Sequence, residues 1–88
     1  MKIIFNRYSL KDLSKLTSAD VKAEVAGVIV AVEQATSLAA IANLKKLKSY
    51  KTAYRIRVGD FRIGIVVENG NVEFVRLANR KDIYKLFP

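Results

Sequence analysis

From Tyr54 to Gly64 the chain reads YRIRVGDFRIG, with apolar residues and arginines taking strict turns up to a Gly-Asp pair, after which the alternation resumes. A period of two marks a strand covered on one face and open on the other. A two-residue turn at Gly59-Asp60 sets Val58 opposite Phe61. Counting back then pairs Arg57 with Arg62, Ile56 with Ile63, Arg55 with Gly64 and Tyr54 with Ile65. Tyr54, Ile56, Val58, Phe61, Ile63 and Ile65 share the covered face, while Arg55, Arg57 and Arg62 emerge on the other. Asn69-Gly70, also between alternating runs, predicts a second hairpin. The strands are expected over 53–58, 61–68 and 71–78. Continuing the count puts Val72 and Phe74 on the covered face and Glu73, Val75 and Leu77 on the arginine face. There Val66, Val75 and Leu77 would form an apolar groove floor. Arg76 falls on the helix side, with Asp12 or Glu24 as its expected partner.

Upstream the period changes. KIIFNRY (2–8) reads as a short strand. Ser9 followed by Asp12 resembles a capping box and predicts a brief helix over LKDLSKL, with Leu10, Leu13 and Leu16 on one face. Thr17 and Asp20 repeat the signal and open a longer helix carrying Val21, Val25, Val28, Ile29 and Val32 at helical spacing. Gly27 inside it predicts close packing. Ala26, Val30 and Ala31 extend the apolar surface beyond one stripe, so the helix is either sunk in a core or offers a surface to a partner. ATSLAAIAN (35–43) reads equally as helix or loop, and LKKLKSYK (44–51) as an exposed basic connection. The tail NRKDIYKLFP predicts one more helical turn.

The element order is therefore β-α-α-β-β-β with a short closing helix. This is an α+β fold in which two helices cover one face of a small, mainly antiparallel sheet. At 88 residues the expectation is one domain, 1–88. The longest greasy run, VAGVIVAV, is far short of the roughly 20 residues that cross a bilayer. Ile3-Ile4-Phe5 after Lys2 is too short for a leader's apolar region. A soluble, cytoplasmic protein without a membrane partner is expected.

Cysteine and histidine are both absent, which removes disulfides, the usual zinc sites and every His-dependent triad. The net charge of +8 is uneven: residues 1–44 carry +1 and residues 45–88 carry +7. Such clustering points to one basic surface and an anionic partner. Arg57 beside Arg62 is a like-charged cross-strand pair, destabilising by up to roughly 1 kcal/mol. Gly64, mid-strand, marks close approach by another chain or a ligand. Together they describe a shallow cationic site with space beside Arg55, and the arginine fork suits phosphate.

YRIRVGDFRIGIVV followed by VEFVRLANRKDIY resembles the RelE/ParE superfamily of type II toxins, closely over residues 53–84 and loosely over the βαα order and the LKKLK lead-in. The RelE-like branch implies an mRNA interferase that cleaves messages in the ribosomal A site. On that resemblance Arg55 and Arg57 take the two basic strand positions and Arg62 the phosphate-binding arginine. Arg80 takes the arginine assigned to the leaving group, and Tyr84 the tyrosine that stacks on or orients the nucleotide. Attack by the ribose 2′-OH would give a 2′,3′-cyclic end, with no metal or cofactor implied. Lys45, Lys46, Lys48, Lys51 and Lys81 would attract RNA without reading sequence. Tyr50 would stack on a base or pack on the helix.

The family's corner histidine is Asn79 here, Ala78 replaces its glycine, and arginines stand at 55 and 57 where lysines are common. Arginine is a poor general base, which leaves Glu68, Glu73 and Tyr84 as candidate proton acceptors, or else catalysis by positioning and electrostatics with the ribosome and its RNA helping, or a chain of low or lost activity. The resemblance also implies an acidic antitoxin, partly disordered when free, with Val30 in its contact. Ribosome and message would be the other partners, and a toxin–antitoxin hetero-oligomer the assembly. A ParE-like inhibitor of DNA gyrase and an inactive RNA- or protein-binding module remain open alternatives.

Overall fold

The computed structural model describes all residues, Met1–Pro88. Five strands form one sheet: β1 (Lys2–Phe5), β2 (Leu44–Lys46), β3 (Ala53–Val58), β4 (Phe61–Glu68) and β5 (Asn71–Asn79). Their spatial order is β1-β5-β4-β3-β2. All neighbours are antiparallel except β1, which runs parallel to β5. Helices α1 (Arg7–Ser14) and α2 (Ala19–Gln34) lie between β1 and β2 in the chain, and α3 (Ile83–Leu86) follows β5. No helix is long and apolar enough to cross a membrane.

The first hairpin has the expected register throughout, including Arg55 opposite Gly64 and Arg57 opposite Arg62. Asn69 (φ 52°) and Gly70 (φ 77°) both lie in the left-handed region, as the tight turn most compatible with strand twist requires. The second hairpin departs from the count. A bulge between Gly64 and Ile65 leaves Val75 as an extra residue on β5, so Ile65 pairs Phe74 while Gly64 pairs Arg76. One extra residue reverses the phase of the strand beyond it. Leu77 therefore lies opposite Ile63 and is buried in the helix-covered core, not on the arginine face. The bulge is anchored from α1. Asp12 Oδ2 accepts from Arg76 Nε at 2.8 Å and from the Leu77 amide at 2.9 Å, while Oδ1 accepts from Arg76 Nη2 at 3.2 Å. Of the two expected partners, Asp12 is the one that holds Arg76. Its carboxylate raises the Arg76 pKa, chiefly through the hydrogen bond.

Two apolar clusters sit on opposite sides of the sheet. The larger joins Val25 and Val32 of α2 to Ile56, Val58, Ile63, Ile65, Val72, Phe74 and Leu77, with Leu13 and Leu16 packed against it. The smaller consists of Leu47, Ala53, Ile83 and Phe87, with Val66 and Val75 against it. The apolar patch expected as a groove floor is thus roofed by the C-terminal segment.

The helix boundaries follow local caps. Asn6, not Ser9, caps α1: its side chain accepts from the Ser9 amide at 3.0 Å, and the buried Ser9 hydroxyl donates back to the Asn6 carbonyl at 2.8 Å. The first strand therefore ends at Phe5. Ser18 caps α2 by accepting from the Val21 amide. That helix is not sunk in the core: Val25 and Val32 are buried, whereas Ala26, Val30 and Ala31 are exposed. Gly27 packs against nothing, since a Cβ there would meet no atom within 4 Å. Residues 35–43 hold one 3-10 turn, Leu38–Ala40, and Asn43 with φ 61°.

Candidate functional site

The segment expected as a basic connection enters the sheet as edge strand β2, because Leu44 finds Ile56 as a partner and Leu47 is buried under the C-terminal tail. This sets Lys45 directly across from Arg55. Lys45, Arg55, Arg57 and Arg62 consequently stand on one face of three adjacent strands. With Asn43, Leu44 and Tyr84 they line an open cavity of about 360 Å³.

The cations in this cavity have no acid partner. Arg76–Asp12 is the only ion pair in the structure. The adjacent guanidiniums of Arg57 and Arg62 are held by different neutral acceptors. Arg57 Nη2 donates to Asn43 Oδ1 at 3.3 Å, while Arg62 Nη1 donates to the carbonyls of Gly59 and Phe61, both at 2.9 Å. Neutral acceptors fix orientation without cancelling charge, so the cavity keeps a positive field. Arg55 lies over the Tyr84 ring, 4.6 Å from its centroid, within cation–π range. Tyr84 is 72% exposed and does not anchor the tail; the neighbouring Ile83 and Phe87 do.

The space expected beside Arg55 is not empty. A Cβ on Gly64 would stand 2.8 Å from Phe87 Cδ1 and closer still to two other ring carbons. The close approach that a mid-strand glycine signals comes from this chain's own tail. A second opening of about 470 Å³ adjoins the first through Lys45, Arg55 and Tyr84, and includes Lys46, Lys48 and Tyr50. Lys46 Nζ is tied to the Tyr50 carbonyl at 2.7 Å, and the Tyr50 side chain is 48% exposed rather than packed on the helix.

Three residues of the expected site stand apart from both openings. Arg80 is exposed, its amide donating to the Asp60 carbonyl at 2.8 Å. Lys81 is exposed, with its amide on Asn79 Oδ1 at 3.0 Å. Lys51 is exposed in the turn before β3. Neither Glu68 nor Glu73 borders the cationic cavity; both border a separate one with Ile4 and Asn71. Asn43 was not foreseen as a site residue. Its signal was an Asn just before a basic run, a residue type that tolerates positive φ.

Known proteins bear directly on this geometry. The chain is 37% identical to Toxin RelE3 of Methanocaldococcus jannaschii over 89 aligned positions, covering all of both sequences. The chain belongs to the RelE toxin family. A chain of the RelB-RelE antitoxin-toxin complex from Methanococcus jannaschii superposes with a TM-score of 0.81 at 34% identity, over 97% of this chain and 99% of that one. The intact Escherichia coli RelBE complex gives 0.70 at 21% identity, over 89% and 94%, a likeness of fold. No protein-family profile matches the chain. Within the RelE fold, the α+β order expected from the sequence is the order found, with β2 added at the sheet edge.

Proposed function

We propose that this RelE-family chain is a ribosome-dependent mRNA endoribonuclease, the toxin of a type II pair restrained by an acidic antitoxin in the cytoplasm. The observation that carries this reading is the gathering of Arg55, Arg57, Arg62 and Lys45 around one open cavity with no carboxylate on its lining. Such a cavity suits an RNA phosphate and, above all, the extra negative charge that builds on it during in-line attack. The ribose 2′-OH attacks the adjacent phosphorus, the 5′-oxygen departs, and a 2′,3′-cyclic phosphate remains. Arginine forks hold the non-bridging oxygens. Tyr84, exposed at the rim, offers its free ring face to a base. With neither imidazole nor carboxylate on the lining, the 2′-OH proton passes to a group supplied by the ribosome or its RNA. Arg80 contributes from outside the cavity, by extending its exposed side chain towards the leaving oxygen.

The antitoxin partner is inferred from relatives solved as antitoxin–toxin complexes. Val30, 49% exposed amid exposed alanines on α2, is a ready apolar contact for it. Inducing the chain without a partner and mapping message 5′ ends tests the proposal. New ends should appear with wild type and be lost with Arg62→Ala, while Arg80→Ala reduces them. Growth arrest with intact messages and trapped gyrase–DNA complexes would move the reading to the ParE type. A folded chain without effect on growth would make it an inactive module.

A further inference from the structure

Gly64 and Arg55 are cross-strand partners, so the place where a side chain is missing lies beside the guanidinium that carries Tyr84. Phe87 fills that place: it is 4% exposed, packs with Leu47, Ala53 and Ile83, and its ring occupies the volume a Cβ on Gly64 would need. Tyr84 lies between the two buried residues of the tail. Ile83 is fully buried ahead of it, Phe87 is buried after it, and the Phe87 amide donates to the Ile83 carbonyl at 2.9 Å. Four residues of helix cannot hold their own shape in water. The placement of Tyr84 therefore depends on what holds the ends of α3.

We infer that Gly64 and Phe87 form a socket and plug that position Tyr84 on Arg55. Glycine at 64 is the absent side chain into which the tail seats, and seating the tail lays the tyrosine ring against the arginine. Phe87 has no polar side-chain atom to offer the four cations of the cavity and acts through Tyr84, as a positioning residue. The inference rests on the proposed nuclease reading for its consequence in catalysis, but not for its geometry.

Two measurements separate the geometry from the chemistry. The first is the NMR shift of the Arg55 side-chain protons, which the Tyr84 ring current displaces upfield. Tyr84→Leu defines the undisplaced value. Phe87→Ala and Gly64→Ala, which unseat the plug from opposite sides, should each move the Arg55 signals to that value in a folded chain. Gly64→Ala with Phe87→Leu, where a smaller side chain leaves room for the methyl, should restore part of the displacement. Should one single variant fail to fold, the other decides. Arg55 signals that stay upfield in a folded Phe87→Ala or Gly64→Ala chain would overturn the inference.

The second measurement is message cleavage on programmed ribosomes. Phe87→Ala should slow it about tenfold, within what a misplaced group costs, but less than twofold in a Tyr84→Ala background. An equal loss in both backgrounds would make Phe87 merely structural and overturn the positioning role. If wild type cleaves nothing, the nuclease proposal fails, and the NMR arm still decides the socket and plug.

Discussion

Asp12 is expected to be worth more to this fold than Arg76, although the two form one ion pair. The carboxylate has three donors: both guanidinium contacts at 2.8 and 3.2 Å, and the Leu77 amide at 2.9 Å. The pair itself is partly solvated, with side chains 23% and 12% exposed. After discounting for solvent, it is worth about 1–2 kcal/mol. The amide is different, because it adjoins a buried leucine and the bulge has taken it out of step with β4. An unsatisfied buried donor costs a further ~1–3 kcal/mol. Arg76→Ala should therefore cost about 1–2 kcal/mol and Asp12→Ala about 2–4 kcal/mol. For a domain of this size that corresponds to falls in Tm of roughly 10 °C and 20 °C. Asp12→Asn keeps an acceptor for the amide and should match Arg76→Ala rather than Asp12→Ala. Thermal and urea unfolding followed by circular dichroism would measure all three. If Arg76→Ala costs as much as Asp12→Ala, or Asn is no better than Ala at position 12, the amide bond contributes nothing and the reasoning fails.

Three further outcomes are expected. Gly27→Ala should stabilise the chain by about 0.5–1 kcal/mol, because the site is helical, exposed and open; destabilisation in urea melts would mean a packed glycine. Val30→Lys should leave the melting curve within about 0.5 kcal/mol of wild type, as for ordinary surface changes, and weaken antitoxin binding; calorimetry showing unchanged affinity would discard that contact. In single-stranded RNA binding, Arg57→Ala should flatten the plot of log affinity against log salt by about 0.7, one phosphate's worth. Lys51→Ala, outside both openings, should leave that slope unchanged.

Much of the site was legible because two turns set it. Gly59-Asp60 and Asn69-Gly70 are short, chemically explicit turns, and the first hairpin's register follows from counting outward. Legibility ended where a distant residue intervened. The bulge at Val75 lies across from Gly64, a mid-strand glycine that signals a bulge as readily as a close approach; it is held by Asp12, distant in sequence, and it carries Leu77 to the opposite face. The edge strand β2 was hidden because LKKL does not alternate; pairing with β3 and burial of Leu47 impose the strand from outside. Gly64 reads as a point of close approach by another chain or a ligand, whereas the approaching group is this chain's own Phe87. Phe87 lies 23 positions on, and nothing local joins the two.

The cap of α1 was misplaced for a different reason. Both Asn6 and Ser9 are good capping residues, and the choice depends on where β1 releases the chain. The Asn6 amide, bonded to the Phe74 carbonyl at 3.1 Å, puts that point at Phe5. The apolar excess on α2 was readable, and its exposure shows that the helix needs only Val25, Val32 and their half-buried neighbours to hold the sheet.

Ribosome-dependent cleavage is tested most directly with the purified chain and ribosomes carrying a defined message in the A site. A cut within the A-site codon that leaves a 2′,3′-cyclic phosphate is expected, detected by primer extension and by resistance of the 3′ end to ligation until the cyclic phosphate is removed. Arg57→Ala and Arg62→Ala should each abolish most of the cleavage without unfolding the chain. An intact message after incubation with folded wild-type chain, or cleavage undiminished when both arginines are replaced, would contradict it.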